Sequence, residues 1–556
     1  MTEPGQITRQ MTLGEALRSV ASRFPRRTAL VSRDERLTYQ QLLERVQALA
    51  QSLRELGIGK GDRIATLLWS NAEFVYLLFA AAELGATISP LPPRLRRHQM
   101  EAFLRELDPV LVVTSTQLEV PDGLDALRAL QNELPSLRHV LVTDAPPGAE
   151  PEFRAMLAAP HAENFVPEQV GPQDLLVILY TSGTTGRAKG VMHSHRGLIA
   201  PVLASLKVRE MWMARPDFRL LGRWLRVLRR YGTRLIAAAS GQQVWLPIMS
   251  FHTIAGMEVM LQALLMGDKL VLLPRFQPAQ VLETIQRERV TVLVGLPMSY
   301  TALLRSRDFD RYRLSSLLVC GMGAAPCPPE LAREIQRRFH CAVHIGFGLT
   351  ELGGGISVTS LEDAPSYQAE TVGQPMSGME IRIVDEQRQP LPPGSVGELA
   401  CRSDGLMLGY FGDQHSQGEV VDEEGWLYTG DLATMDETGY IRIVGRKKDM
   451  IIRGGQNVHP ARIEDYLLTM DQIREAAVVG VPDALGGESV WAFVIPEAGS
   501  HPAEKDILAH CRASLEPYEI PQQIRIVDDF PRTSNGKPQK YRLREIALKE
   551  LQAHGR

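Results

Sequence analysis

The chain is short of every feature that would take it out of an ordinary globular class. Its five cysteines, Cys320, Cys327, Cys341, Cys401 and Cys511, form no C-x-x-C pair. That scatter argues against a zinc site and a disulfide framework, and fits a reducing cytoplasm. No apolar run approaches the ~20 residues of a membrane-spanning helix. The first residues lack the charged-then-apolar pattern of a secretory leader. The last residues lack the Ser-Lys-Leu peroxisomal address. Neither charge sign dominates: 61 basic against 65 acidic residues leave a net charge of −4. That balance gives no electrostatic reason to expect nucleic acid as a partner. Internal repeats and low-complexity tracts are missing too. What is present is a composition 44% hydrophobic and 23% charged over 556 residues. Such a chain is globular and too long for a single core.

Periodicity predicts an α/β architecture. From Thr38 to Ala50, Tyr39, Leu42, Leu43, Val46 and Leu49 recur at helical spacing. Thr38 with Gln41 three residues on reads as the capping box of that helix. Arg63 to Leu68 and Leu175 to Leu179 read as buried strands. Strand and helix patterns go on alternating through residue 330, which favours largely parallel sheets. Pro90 to Pro93 reads as a rigid turn. Residues 144–173 read as a connection. Residues 380–445 change character: strands such as Glu380 to Val384 and Tyr440 to Val444 lie between turn signals, predicting a small antiparallel barrel. From Arg446 a compact αβ module begins, so the domain boundary falls there, giving domains 1–445 and 446–556.

The segment 219–231 is a basic amphipathic helix. Leu221, Trp224, Leu225 and Leu228 share one face, while Arg219, Arg223, Arg226 and Arg230 lie largely on another. Two readings stand open: a helix packed on the sheet with arginine stems covering apolar surface, or peripheral contact with an anionic membrane or a lipophilic substrate.

The loop from Tyr180 to Gly190 carries the most information. It follows a predicted strand. Gly183, Gly186 and Gly190 let the backbone approach a ligand. Thr181, Ser182, Thr184, Thr185 and Lys189 supply donors, and successive free N–H groups make an anion nest. The pattern predicts a phosphate-holding loop. It is not a Walker loop, because Arg187 and Ala188 separate Gly186 from Lys189. By itself such a segment is also compatible with a plain surface loop.

Five further segments follow in order: Gly323-Ala324-Ala325-Pro326, Gly346-Phe347-Gly348-Leu349-Thr350-Glu351, Tyr428 to Asp431, Gly445 to Asp449, and Pro531 to Lys537. Together with the loop, they resemble the motif set of the ANL superfamily of adenylate-forming enzymes, in its acyl-CoA synthetase branch. The resemblance spans nearly the whole chain. It implies a large N-terminal domain of two α/β subdomains with mostly parallel sheets plus the small barrel, and a small mobile α+β C-terminal domain. It implies that a carboxylic acid reacts with ATP to an acyl-adenylate, and that a thiol, coenzyme A, then displaces AMP.

The resemblance also assigns roles. Lys537 would bridge the acyl carboxylate and the α-phosphate, where two anions must meet. Glu351 would bind Mg²⁺, a hard cation that takes oxygen ligands, and Thr350 would donate to the α-phosphate. Gly323, Ala324, Ala325 and Pro326 would line one side of adenine. Gly346, Phe347 and Gly348 would line the other, with Phe347 where the family usually has Tyr. Asp431 would accept from ribose hydroxyls and Arg446 would touch ribose or phosphate. Lys448 would sit at the hinge, and Gly454 and Gly455 would leave room for a pantetheine arm. Phe251 is followed by His252 where amino-acid-activating relatives place an Asp for the substrate ammonium. The acid is therefore expected to carry no amine. His252 with Met249, Met298, Met322 and Leu352 forms the expected acyl wall. The ending around Phe530 to Glu545 resembles ligases of medium-chain fatty, alicyclic and aromatic acids. Two alternatives stand beside this reading: an adenylating enzyme that loads a separate carrier protein, and a non-catalytic nucleotide-binding scaffold. Monomer and homodimer are both open.

Overall fold

A computed structural model describes the chain except residues 1–6, 33–34, 120–121, 145–152, 159–164, 182–187, 214–217, 232–240, 414–417, 419, 454–455, 484–486, 534–535 and 555–556. The chain folds into two compact units. The first comprises Met1–Glu380 with Arg402–Leu427, and the second Ile381–Cys401 with Tyr428–Arg556. Arg446 therefore lies inside the second unit, together with the strands that precede it. A domain boundary at Arg446, with the hinge at Lys448, stays a proposal.

The first unit holds two sheets. The seven-stranded one runs Gly409–Tyr410, Lys189–Ser194, Leu175–Thr181, Thr87–Pro90, Arg63–Leu67, Leu111–Thr114, His139–Val142. From Leu175–Thr181 to His139–Val142 its strands are parallel, and the two at the other edge are antiparallel. The nine-stranded sheet has a parallel middle and antiparallel edges. Its strands Val292–Gly295, Val319–Met322 and Ala342–Leu349 are adjacent and parallel. The mostly parallel α/β expectation holds. One core joins residues of both sheets to the helices Ala72–Leu84 and Ile254–Leu265, which are buried almost all round. Burying a leucine or phenylalanine contributes roughly 1.5–3 kcal/mol, so this shared core ties the sheets together.

Local signals account for the elements that were expected. The helix Tyr39–Glu55 starts where predicted, and both halves of its capping box are present. Thr38 Oγ1 accepts from the Gln41 N–H at 3.2 Å, and the Thr38 N–H donates to Gln41 Oε1 at 2.9 Å. Among its described residues the connection 144–173 holds a short helix, Phe153–Ala158.

In the second unit, the segment expected as a barrel is a four-stranded sheet, ordered Glu380–Val384, Gly397–Arg402, Leu427–Met435, Ile441–Arg446. A three-stranded sheet, Ile473–Pro482, Glu488–Pro496 and Gln523–Ile526, packs with the helices Pro460–Leu467 and Glu504–Ser514 around a separate core.

The helix over 218–231 forms as expected. Its buried stripe differs from the sequence reading: Val227 is buried, while Leu225 is 56% exposed. Arg230 donates to the Asp363 carbonyl at 2.5 Å and to Gln368 Oε1 at 2.9 Å, and Arg226 lies 3.8 Å from Glu362. Two of the four arginines thus meet the protein itself. The side chains of Arg219, Leu221, Arg223 and Trp224 lie outside the described residues. Among those residues, no helix is long and apolar enough to cross a membrane.

Candidate functional site

The segment expected to hold phosphate lies between two paired strands. Leu175–Thr181 pairs antiparallel with Lys189–Ser194, and Thr181 faces Lys189. Ser182, Gly183, Thr184, Thr185 and Gly186 lie outside the described residues, so the nest reading stays with the sequence. What the structure describes is the hairpin's base. The Lys189 ammonium stands 4.6 Å from the centre of the Tyr410 ring. The Tyr410 hydroxyl donates to Glu351 Oε1 at 3.1 Å. Burial, with the Glu351 charge beside it, pushes the Tyr410 hydroxyl above its ordinary range, so it stays protonated as a donor. Tyr410 thereby joins the phosphate hairpin to the proposed metal-binding carboxylate. Sequence reading missed it.

Glu351 sits on the single turn Thr350–Leu352, between the strands Ala342–Leu349 and Gly354–Val358. The turn is held from several directions. His193 Nε2 lies 2.6 Å from the Thr350 carbonyl oxygen. Complete burial lowers the His193 pKa to about 4, so its ring is neutral and its Nε2 carries the proton it donates. The Met407 N–H donates to the Glu351 carbonyl at 2.9 Å. The chain leaves the turn through Gly353 at φ 71°, and a Cβ there would stand 2.8 Å from the Gly197 carbonyl. No larger residue fits that crossing.

The two segments expected to line adenine lie at adjacent strands. Met322 pairs with Ile345 in parallel strands, so Gly323 to Pro326 leave the carboxyl end of one strand beside Gly346 to Gly348 on its neighbour. Carboxyl ends of parallel strands are where open α/β sheets bind ligands. Ala324 adopts φ 63°, a conformation uncommon for a residue with a side chain. Ala324 and Pro326 are exposed, while Ala325 and Phe347 are half-buried. Phe347 lacks the hydroxyl that the expected tyrosine would carry.

The expected acyl wall is uneven. Met249, Met322 and Leu352 are buried, and His252 is half-buried. Met298 is 58% exposed at the start of the helix Pro297–Leu304 and stands apart from the buried set. A second residue that sequence reading missed lies against the strand Gly354–Val358. Glu258, on the helix Ile254–Leu265, accepts from the Gly355 N–H at 3.0 Å and from Gln262 Nε2 at 3.0 Å. Burial raises its carboxyl to about 7.

In the second unit the structure gathers three expected residues. Asp431 and Arg446 face each other across antiparallel strands, with Arg446 Nε 3.1 Å from Asp431 Oδ1. Asp431 is 4% exposed, and burial raises its pKa against the opposing pull of Arg446 and Lys537. The Lys537 residue is exposed, yet its ammonium is partly desolvated by the atoms around it. Crowding first, then the Arg446 charge, hold its pKa below the usual lysine value, with Asp431 opposing; open solvent moderates the shift. Lys448 is likewise lowered by burial. Lys447 pairs with Glu398 at 2.9 Å, and Glu398 also accepts from the Gly430 N–H, fixing the turn before Asp431. Gly454 and Gly455 lie outside the described residues, between the paired strands Ile451–Arg453 and Gln456–Val458.

Among the described residues no group of three or more His, Cys, Asp or Glu could hold a metal ion. Glu351 alone fits Mg²⁺ in the way that ion is often held near nucleotides, by one or two carboxylates plus substrate phosphates and water.

A family model of the AMP-binding enzymes matches residues 17–411, and one of the AMP-binding enzyme C-terminal domain matches residues 462–537. The chain is 34% identical to a methyl-dioxo-octahydroindenyl-propanoyl:CoA ligase of Mycobacterium tuberculosis, over 96% of this chain and 99% of that one. It is 31% identical to the mitochondrial medium-chain acyl-CoA ligase ACSF2 of Homo sapiens, over 97% and 88% of the two chains. Among solved structures, ATP-bound MatB from Rhodopseudomonas palustris superposes with a TM-score of 0.80 at 27% identity, covering 96% of this chain and 99% of that one.

Proposed function

We propose, since the chain belongs to the AMP-binding enzyme family, that it activates a hydrophobic carboxylic acid of medium-chain, alicyclic or aromatic type and passes the acyl group to coenzyme A. It is an acid–thiol ligase of the AMP-forming kind. An acid carboxylate oxygen attacks the α-phosphorus of ATP, and pyrophosphate leaves. The thiol sulfur of coenzyme A then attacks the acyl carbon, AMP leaves as the bond between the acyl carbon and the phosphate oxygen breaks, and the thiol proton goes to solvent. The structural observation that carries this reading is the link from Lys189 through Tyr410 to Glu351, which joins the phosphate hairpin to the carboxylate turn. The relatives named as CoA ligases support the acceptor.

The first step needs positive charge and fixed donors where two anions approach. Lys537 supplies the charge, Thr350 a hydroxyl donor, and Lys189 with the loop around Gly183 the phosphate contacts. Glu351 would hold Mg²⁺, which supplies charge neutralisation on the phosphates when bound. Asp431 accepts from the ribose, with Arg446 orienting it, and Phe347 stacks on adenine. His252, Met249, Met322 and Leu352 take the acyl group. In the second step Gly454 and Gly455 give the pantetheine arm a path, reached by rotation about Lys448. The cytoplasm is the proposed location. The test is AMP formation with coenzyme A across a panel of carboxylic acids, with mass spectrometry of the thioester. No acid-dependent pyrophosphate release would overturn the reading.

A further inference from the structure

The helix Ile254–Leu265 is apolar at every position but two, Glu258 and Gln262. They lie four residues apart and so share a face. That face meets the strand Gly354–Val358, where Glu258 Oε2 accepts the Gly355 N–H at 3.0 Å. The strand yields to the carboxyl. A Cβ on Gly354 would stand 2.3 Å from Glu258 Oε2, and one on Gly355 would stand 3.2 Å from Oε1. Among the described residues no Lys, Arg or His pairs with Glu258. An unpaired carboxylate in an apolar core is unfavourable, and a leucine there would pack without that penalty.

Glu258 is nevertheless not sealed off. Its neighbours Met257, Val259, Met260 and Leu261 are buried, yet Glu258 is only half-buried. Gly355, Met376, Phe347 and His252, around the same hairpin and helix start, are half-buried too. Gly354 lies three residues past Glu351, so the carboxyl stands beyond the phosphate-handling turn rather than on it. Each carboxyl oxygen uses one lone pair, on Gly355 and on Gln262, and has one left.

We propose that Glu258 determines specificity at the acyl end of this reaction, and that the preferred acid carries a hydroxyl group away from its reacting carboxylate. The proposal rests on the ligase reading above. A hydroxyl both donates and accepts, so it satisfies the carboxyl whether ionised or protonated. With its pKa raised to about 7 by burial, the group visits both states near neutrality. An acid without the hydroxyl displaces water from the carboxyl and offers nothing in return, a loss on the order of a hundredfold in kcat/KM.

The experiment compares matched unsubstituted, hydroxy, oxo and amino acids on medium-chain and alicyclic skeletons, scored by AMP formation with coenzyme A. The full-length protein is used, as wild type, Glu258→Leu and Glu258→Gln. The expected result is a wild-type preference of about ten- to a hundredfold for a hydroxy acid over its parent, reversed in Glu258→Leu and retained in Glu258→Gln. A flat wild-type profile, or first place for the oxo or amino acid, overturns the proposal. So does a Glu258→Leu protein with a lowered Tm but the same preference, which would make Glu258 only an anchor for the glycine strand. If Glu258→Leu does not fold, the wild-type ranking and Glu258→Gln decide. AMP from no acid at all overturns the ligase reading instead.

Discussion

Lys537→Ala should separate the two half-reactions. Arg446 cannot take over the charge of the lysine, because its guanidinium is already paired with Asp431 at 3.1 Å. Removing Lys537 therefore deletes one positive charge from beside Arg446 and Asp431. A unit charge about 4 Å from an anion at an effective dielectric near 20 is worth roughly 4 kcal/mol, and solvent at this exposed residue reduces that to about 2–4 kcal/mol. The adenylation rate should fall by roughly 30- to 1000-fold. Acid-dependent exchange of pyrophosphate into ATP measures this step. Thioester formation from supplied acyl-AMP should change little. The pH profile gives a second check. Crowding and Arg446 lower the Lys537 pKa, and the charged form is the protonated one. Adenylation should therefore decline as pH rises through that lowered pKa, earlier than an ordinary lysine would allow. Equal loss in both half-reactions would refute the reasoning.

Gly455→Leu should do the reverse, slowing thioester formation while pyrophosphate exchange persists, because a side chain would obstruct a narrow pantetheine path; equal losses would make the loop structural. His193→Leu removes one of the two donors to the Thr350 carbonyl, leaving only the Gly353 N–H, a loss of about 0.5–1.5 kcal/mol. It should raise the KM for MgATP more than the KM for the acid, and a lowered Tm with unchanged kinetics would count against the turn-holding role. Arg230→Gln removes the bonds to Asp363 and Gln368 and should lower Tm by a few degrees, ~1 kcal/mol at this scale. Salt-sensitive co-sedimentation of the wild type with anionic liposomes, lost in an Arg226/Arg230 double glutamine variant, would instead favour the membrane reading of that helix.

The features legible in the sequence were those set by neighbours in the chain. Thr38 and Gln41 announce a helix start because both halves of a capping box lie within four residues. The strand before the phosphate loop and the one at Glu380–Val384 show as short apolar or alternating runs for the same reason. The site residues in the six motifs were found through their resemblance to a family, not through geometry. Their meeting at the Asp431–Arg446 pair is a cross-strand register that spacing does not reveal.

What escaped was decided by topology. Tyr410 reaches Glu351 from a two-residue strand, Gly409–Tyr410, too short for any period, and it does so because that strand pairs beside Lys189–Ser194. His193 looks like one histidine in a strand until the Thr350 turn is laid against it. An amphipathic pattern cannot tell an anionic membrane from the chain's own acceptors, and Arg226 and Arg230 find theirs more than a hundred residues away. Glu258 is the sharpest case. The missing carboxylate after Phe251 led to an acid free of an amine, and the position itself does hold His252. The apolar helix that starts just after it nevertheless brings a carboxyl to the glycine strand from the side. Gly354 and Gly355, two of the three glycines after Leu352, leave the space that this carboxyl occupies.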